Sequence, residues 1–200
     1  MTSYNPLDIE NLGLSVLTAM LCQDPTPLDD IKRFEGAGVY ALYYTGDFPP
    51  YEFIAEANRE GRFEQPIYVG KAIPSGGRKG MSVATKTTAL SRRIREHAGS
   101  IRAASNLEIE DFFARYLVVE PIWIPLGESL MIARTSPLWN ALVDGFGNHD
   151  PGKGRINGLR PLWDTLHPGR PWAEKYPERT ESADDITLGV IEHLRARHQV

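Results

Sequence analysis

The sequence has one cysteine, no long apolar run and little net charge, and each scarcity excludes a class of protein. Cys22 stands alone, so the chain can form neither an internal disulfide nor a thiolate zinc site, and a reducing, cytoplasmic setting is expected. No apolar run reaches the roughly 18 residues of a membrane span. The first ten residues, MTSYNPLDIE, are acidic rather than basic and are not typical of a secretory signal.

The remaining composition is that of a globular protein. Hydrophobic residues make up 42% and charged residues 24% of the 200-residue chain, which is enough for one domain with its own core. We therefore expect a single domain over residues 1–200, without internal repeats.

The net charge of −4 conceals a strong asymmetry along the chain. Residues 1–70 carry a net charge of −7, residues 71–102 carry +7, and residues 103–200 carry −4. The basic block, residues 71–102, is a candidate surface for a polyanion such as nucleic acid. A solvated loop and helix face would give the same charge pattern, so charge alone does not decide between the two.

Glycine-bounded or proline-bounded runs rich in β-branched and aromatic residues predict strands at 38–46, 66–72 and 112–124. Apolar spacing predicts an N-terminal helix capped by Asn5, and a helix over 87–101. Further helices are predicted at 127–135, at 137–143 with Ser136 as a possible cap, and after a capping box at Ser182–Asp185. Residues 47–65 are typical of a loop with one helical turn. The stretch 144–180 is typical of an irregular arm anchored by aromatic residues.

An ordered set of polar residues is the most informative feature. GVY stands at 38–40 and YVG at 68–70, followed by Arg93 and His97 four residues apart on one predicted helix. Glu128 follows on another, with Asn140 twelve residues beyond it. In this order the chain resembles the GIY-YIG nuclease superfamily, and in particular its restriction-endonuclease branch, which cuts GC-rich palindromes. The resemblance covers roughly residues 36–145.

The resemblance implies an α/β (α+β) fold with a small three-stranded antiparallel sheet flanked by helices. It places a nuclease core at 36–145, with insertions at 47–65 and 72–88. The flanking parts are then an N-terminal helical arm at 1–35 and a C-terminal arm at 146–200 for DNA contact or dimerisation. The two tripeptides are usually joined by a short turn, so the first insertion must still bring Tyr40 and Tyr68 together.

Phosphodiester hydrolysis needs an activated water, stabilisation of the charge at phosphorus and help for the leaving 3′ oxygen. The resemblance implies that Glu128 is the ligand of one Mg²⁺ ion, which binds through few carboxylates and keeps most of its waters. It further implies that Arg93 neutralises the transition state and that Tyr40 takes the proton of the attacking water. His97 would accept that proton onward, Tyr68 would bond the phosphate or the water, and Asn140 would fix a phosphate oxygen or orient a neighbour.

Each of these residues also has a structural interpretation. Tyr40 and Tyr68 could be strand tyrosines with buried rings. Arg93 could pair with Glu96, Glu128 could favour the first turn of its helix, and Asn140 could bond backbone at a helix end. These interpretations are individually good, but they do not predict all six residues in this order. A tyrosine base also needs cationic neighbours to lower its pKa, which Lys71, Arg93 and His97 could supply.

Two glycine-rich segments are candidate DNA-contacting loops, at 74–88 and 151–160, because glycines allow close backbone approach and basic residues bind phosphate. Arg155, Asn157 and Arg160 are also of the types that bond base edges. The predicted DNA-binding residues are Lys71, Arg78, Lys79, Lys86, Arg92, Arg155, Asn157 and Arg160.

The sequence thus favours a Mg²⁺-dependent, sequence-specific DNA endonuclease, a type II restriction enzyme that acts as a homodimer on a GC-rich palindrome such as CCGCGG. A repair or mobile-element nuclease with the same core is one alternative. A catalytically silent DNA-binding module is another, although it would have no need of the whole polar set.

Overall fold

The computed structural model describes residues 5, 7–74, 87–150 and 158–198. Its centre is an antiparallel sheet of four strands in the order β1–β4–β2–β3. The strands are β1 (Thr26–Pro27), β2 (Gly38–Tyr44), β3 (Tyr68–Ala72) and β4 (Phe112–Val118). The mixed α/β class with an antiparallel sheet is therefore confirmed, with one strand more than predicted. The extra strand, β1, has two residues and includes Pro27, so it is too short to show alternation and lies at an edge that tolerates proline.

Seven α-helices surround the sheet in the described ranges. Short 3₁₀ turns connect several of them. The helices are α1 (Ile9–Leu21), α2 (Glu52–Asn58), α3 (Ala89–Ala103), α4 (Ile124–Thr135), α5 (Leu138–Ala141), α6 (Leu162–Leu166) and α7 (Ala183–His198). None of these helices is long and apolar enough to cross a membrane.

Strand β2 is buried along all seven residues because both faces of the sheet are covered. On one face, Tyr40, Leu42 and Tyr44 join the core formed with α3, α6 and α7. The apolar stripe of α3 supplies Leu90, Ile94 and Ile101, each fully buried and worth about 1.5–3 kcal/mol in transfer free energy. On the other face, alternate residues of β2 join a second core with α1 and α4.

The residues between β2 and β3 are more ordered than the predicted loop. They form a 3₁₀ turn at Pro49–Tyr51, helix α2 and a second 3₁₀ turn at Arg59–Gly61. Asn58 is fully buried at the end of α2, and its amide nitrogen donates to the carbonyl oxygens of Tyr44, at 3.0 Å, and Gln65, at 2.8 Å. This amide ties the two ends of the segment together, so that β3 can pair directly with β2.

Several element boundaries differ from the predictions. The first helix begins at Ile9 with Asp8 at its N-cap, and Asn5 instead accepts a hydrogen bond from the backbone of Leu7. Strand β4 ends at Val118 rather than 124, and α4 starts at Ile124, because Pro125 has no N–H to donate and suits a first helical turn. Ser136 does not cap α5; it ends α4 in the left-handed conformation, with φ of 40°. The capping box is confirmed by reciprocal bonds between Ser182 and Asp185.

The terminal segments are packed into the two cores. Trp163, Val190 and Leu194 share the main core with the sheet, while Leu17 and Met20 of α1 share the second core. Helix α1 approaches α4 closely at Gly127, where a Cβ atom would lie 2.7 Å from Cγ1 of Val16. This contact fixes the position of α4 against the sheet.

Candidate active site

The two tripeptides meet where β2 pairs with β3. Tyr40 lies opposite Gly70, and the rings of Tyr40 and Tyr68 are 6.2 Å apart between centroids. A Cβ atom on Gly70 would lie 2.4 Å from the Tyr40 hydroxyl, so the glycine makes the space that this hydroxyl occupies. The two tyrosines are thus neighbours despite the 27 residues between them in the sequence.

Tyr40 is hydrogen-bonded to His97, across the interface between the sheet and α3. Its hydroxyl oxygen lies 2.6 Å from Nε2 of His97, and both side chains are buried. Burial raises the pKa of Tyr40 well above its ordinary value, an effect that the proximity of Tyr68 adds to and Arg93 opposes. Burial and the Arg93 cation lower the pKa of His97 well below its ordinary value. The pair is therefore a protonated phenol and a neutral imidazole, and Nε2 accepts from Tyr40 in the tautomer that carries the imidazole proton on Nδ1.

These pKa directions correct one sequence-based expectation. The cationic neighbours were expected to lower the pKa of Tyr40, but burial outweighs them and the tyrosine stays protonated. Lys71 in particular does not act on the phenol, because its ammonium group is bonded to Glu128. Any proton transfer at Tyr40 must therefore pass through the hydroxyl in its neutral form.

Arg93 lies on α3 one turn before His97 and faces the segment that follows α5. Its Nη2 donates to the carbonyl oxygen of Gly147 at 2.6 Å, and its Nη1 contacts the ring of His149 and lies 3.4 Å from Oε2 of Glu96. Burial alone would lower the pKa of Arg93, but the nearby tyrosines raise it overall, so the guanidinium is a fixed cation. The predicted pairing with Glu96 exists as a weak contact, beside stronger bonds that sequence reasoning did not anticipate.

Phe146 covers the other side of His97. The two rings are stacked at 4.4 Å with an interplanar angle of 19°, and Phe146 also contacts the ring of Tyr68 edge-on at 5.0 Å. The imidazole is therefore held between Tyr40 and Phe146, which fixes both its orientation and its dry environment. Phe146 follows a glycine in an irregular segment, and no periodicity in the sequence marks it.

Arg170 holds this segment in place. Its guanidinium donates to the carbonyl oxygens of Gly145 at 2.9 Å and Phe146 at 3.0 Å, and forms a two-point pair with buried Asp164 at 2.6 and 2.5 Å. The rings of Trp163 and Trp172 lie 4.6 and 4.7 Å from the guanidinium carbon, within cation–π range. We call this arrangement the Arg170 clamp. Sequence reasoning missed it, since an Asp and an Arg six residues apart in an aromatic-rich stretch form no known motif.

Glu128 lies near the start of α4, at the edge of the sheet formed by β3. One carboxylate oxygen, Oε2, bonds the ammonium of Lys71, and the side chain is 16% exposed. Gly127, the preceding residue, permits the close approach of α1 and α4 that places this carboxylate beside β3. The negative charge of Glu128 contributes to the raised pKa of Tyr68, after burial, which has the largest effect. Glu128 and the tyrosines therefore share one electrostatic environment.

The donors around Glu128 fit a Mg²⁺ ion held by one carboxylate. No group of three or more His, Cys, Asp or Glu side chains in the described ranges could enclose a metal. Mg²⁺ does not need such a cage, because it binds through one or two carboxylates and completes its octahedron with water and substrate phosphate. The Glu128 side chain is 16% exposed and its Oε2 is paired with the Lys71 ammonium, so a metal ion would bind the other oxygen or replace that ammonium.

Asn140 is committed to the backbone of β3. Its Oδ1 accepts from the Val69 amide at 2.8 Å, and its Nδ2 donates to the Val69 carbonyl at 2.9 Å. Both groups lie on the strand edge that no other strand covers, so the side chain of Asn140 substitutes for a neighbouring strand. This geometry matches the backbone-bonding interpretation, and it positions Tyr68, the residue before Val69, rather than offering an amide to phosphate.

The residues predicted to bind DNA are only partly described. Lys71, Arg92 and Arg93 line a cleft of about 350 Å³, which His149 and Glu96 also border. Arg160 lies away from this cleft, 3.9 Å from Glu178, with its side chain 21% exposed. Five of the predicted residues lie outside the described residues: Arg78, Lys79, Lys86, Arg155 and Asn157.

Comparison with known proteins identifies the family of the chain. The family described as the Eco29kI GIY-YIG domain matches residues 32–194, which extends well beyond the 36–145 core into the C-terminal segment. A comparison with curated proteins gave no match. The family match covers more than half of the chain and includes all six residues of the polar set. The chain therefore belongs to the Eco29kI GIY-YIG domain family, a restriction-endonuclease-like branch of the GIY-YIG nucleases, whose members act on DNA.

Proposed function

We propose that this protein is a Mg²⁺-dependent type II restriction endonuclease that hydrolyses both strands of a specific duplex site. The observation that carries the proposal is the buried hydrogen bond between Tyr40 and His97, 2.6 Å long, beside the fixed cation of Arg93. A buried phenol bonded to a neutral imidazole can act as a proton relay. Tyr51 and His167 form an equally short buried bond, but only the pair of Tyr40 and His97 lies beside Tyr68 and the Arg93 cation. The cytoplasm is its proposed location.

The relay needs no tyrosinate. As the attacking water gives a proton to the Tyr40 oxygen, the Tyr40 hydroxyl proton passes to Nε2 of His97, and the resulting hydroxide forms the new bond to phosphorus. The bond from phosphorus to the 3′ oxygen then breaks, and that oxygen takes a proton from solvent. Burial is the main cause of the low pKa of His97 and repulsion by Arg93 adds to it; a phosphate beside Arg93 would reduce the second effect.

The other residues orient and stabilise the phosphate. Arg93 bonds its nonbridging oxygens and balances the charge that develops in the transition state. Tyr68 lies beside both Tyr40 and His97 and can bond the phosphate or the water. A Mg²⁺ ion held by Glu128 would supply Lewis-acid stabilisation of the phosphate and of the leaving oxygen.

Substrate must displace the contacts that Arg93 makes in this structure. Its guanidinium is bonded to Gly147 and His149, and Tyr40 beneath it is fully buried. Phosphate oxygens are better acceptors for a guanidinium than an imidazole nitrogen, because both partners are charged. We therefore propose that DNA replaces His149 at Arg93 and that residues 147–149 move aside to admit water to Tyr40.

The proposed target is a GC-rich palindrome such as CCGCGG, cut by a homodimer with one site for each strand. Both details come from the resemblance to the restriction branch. A repair or mobile-element nuclease would share the chemistry but cut many sequences.

The first test is incubation of the purified protein with unmethylated phage DNA, with Mg²⁺ and with EDTA, followed by electrophoresis. Discrete bands that vanish with EDTA support the proposal, and the mapped ends give the site. A smear would favour a repair-type or nonspecific nuclease. DNA binding without any cutting would favour a silent module.

A further inference from the structure

A second groove lies on the flank of α3 opposite the candidate active site. Its volume is about 550 Å³, and it separates α3 from the segment 28–33 that precedes β2. Its walls carry four arginines and only two carboxylates. The charged residues are Arg33, Arg92, Arg95, Arg102, Asp29 and Glu96.

Half of these arginines have partners, and half do not. Arg102 is paired with Asp29, and Nε of Arg92 lies 3.7 Å from Oε1 of Glu96. Arg33 and Arg95 are exposed and make no hydrogen bond or ion pair with any residue that the structure describes. The segments 75–86 and 151–157 contain no Asp or Glu, so they supply no carboxylate partner either. The groove therefore carries two uncompensated positive charges that face solvent.

The groove adjoins the active-site cleft across the exposed ridge of α3. Arg92 and Glu96 line both of them, so that the exposed ridge of α3 is their shared wall. A helix rises about 1.5 Å per residue, so Arg92 and Arg102 are about 15 Å apart along its axis. A strand of B-DNA advances about 3.4 Å per nucleotide, which makes this length equal to about four nucleotides.

We infer that this groove binds the sugar–phosphate backbone of the duplex next to the cleaved bond, with Arg33 and Arg95 as phosphate ligands. The inference rests on the proposed action on duplex DNA. A guanidinium bonds two phosphate oxygens at once, and a groove with a net positive charge concentrates the field on a polyanion. Such contacts position the duplex without reading bases, so the affinity they contribute is independent of sequence. Arg33 belongs to the acidic first part of the chain, which is why the basic block did not include it.

The test compares R33A/R95A with R134A/R195A, a control with the same change in net charge. Arg134 and Arg195 are exposed and line neither the groove nor the cleft. Binding to a labelled duplex is measured by fluorescence anisotropy in EDTA, so that no cleavage occurs, over a series of salt concentrations. The duplex is about 30 base pairs long, so that it spans both the cleft and the groove.

On this duplex, R33A/R95A should lower the slope of log K against log salt by about two for each subunit that binds, and the affinity at low salt by about 10- to 100-fold. The control, R134A/R195A, should match the wild-type protein in both slope and affinity. A wild-type slope in R33A/R95A, or an equal loss in the control, overturns the inference. If the wild-type protein still cuts phage DNA, the proposed function stands; wild-type protein that neither binds nor cuts duplex overturns that function instead. Unchanged melting temperatures of both variants confirm that the fold is intact.

Discussion

The hydroxyl of Tyr40 and Nε2 of His97 lie 2.6 Å apart in the core between the sheet and α3. Strand β2 and helix α3 are far apart in the sequence, but they bring a phenol hydroxyl and an imidazole nitrogen together at a buried position. Their pKa values are shifted in opposite directions by burial, so the proton stays on the phenol until substrate arrives. The proposed relay would therefore follow from the packing of α3 against β2.

Tyr40→Phe should reduce cleavage by about 100- to 10,000-fold, the usual contribution of a positioned general base. The substitution removes only the hydroxyl, and leaves Nε2 of His97 without its donor at a cost of about 1–3 kcal/mol in unfolding free energy. Tyr43→Phe is the matched control, since Tyr43 lies on the same strand but in the opposite core. The measurement is the single-turnover cleavage rate of both variants. A Tyr40→Phe protein that cleaves at the wild-type rate would show that Tyr40 takes no part in proton transfer.

Gly70→Ala should impair the same hydroxyl by crowding it. The new Cβ would lie 2.4 Å from the Tyr40 oxygen, so the ring must shift, with an expected loss of about 1–3 kcal/mol in stability and most of the activity. Gly99→Ala is the control, because a Cβ there meets nothing within 4 Å and should stabilise α3 by about 0.5–1 kcal/mol. The unfolding free energy measured in urea should therefore fall for Gly70→Ala and rise for Gly99→Ala. The cleavage rate should fall only for Gly70→Ala. Wild-type cleavage by Gly70→Ala would contradict the packing argument.

The sequence predicted the parts of the site that depend on regular periodicity. The apolar stripe predicted α3 and the apolar runs predicted β2 and β3, because alternation and helical spacing decide which face is buried. That Tyr40, Arg93 and His97 belong to one site was implied by the resemblance to the GIY-YIG nucleases. The capping box at Ser182 was also predictable, since it depends on two residues three apart.

The parts that depend on irregular backbone were not predictable. Phe146, His149 and the Arg170 clamp lie in irregular segments whose positions are set by tertiary contacts. The clamp binds backbone carbonyl groups, which every residue type has, so no sequence pattern marks it. The direction of the Tyr40 pKa was also missed, because the sequence gives the nearby cations but not the depth of burial. Asn140 was placed in the site, but its bonds to Val69 depend on β3 being an edge strand.

Arg170→Lys should slow cleavage more than it weakens DNA binding. Lysine keeps the charge but cannot bond Asp164 at two points and reach the carbonyls of Gly145 and Phe146 together. The segment that stacks Phe146 on His97 should then loosen, with an expected loss of about tenfold or more in kcat and little change in KM. Arg179→Lys, in the same part of the chain, is the control. Equal losses of kcat in both variants would mean that the clamp has no special role in positioning.

His167 should make the protein less stable as the pH falls. It is fully buried, bonded to Tyr51 at 2.6 Å and Asn106 at 2.8 Å, and burial lowers its pKa to about 3. Below the ordinary histidine pKa of about 6.5, the unfolded chain binds a proton that the folded chain does not. The unfolding free energy should therefore decrease by about 1.4 kcal/mol per pH unit from this group, between pH of about 6.5 and about 3.

The measurement for His167 is urea unfolding of the wild-type protein and His167→Gln at several pH values. The variant loses a hydrogen-bonded side chain and should be less stable at pH 7, but its stability should depend less steeply on pH below about 6.5. Because other titrating groups are the same in both proteins, the difference in slope isolates His167. Parallel pH dependences would show that His167 does not titrate between the two states.

Glu128→Gln should separate DNA binding from cleavage. The amide has nearly the shape of the carboxylate but binds Mg²⁺ weakly, so cleavage should fall by at least about 100-fold, while the affinity for duplex measured in EDTA should stay the same or rise as a negative charge is lost. Lys71→Met is the informative partner variant. If Lys71 merely holds the carboxylate in place of a cation, this variant should retain cleavage and reach half-maximal activity at lower Mg²⁺, because the ammonium no longer competes for Oε2. Cleavage by Glu128→Gln at the wild-type rate would show that the metal is held elsewhere.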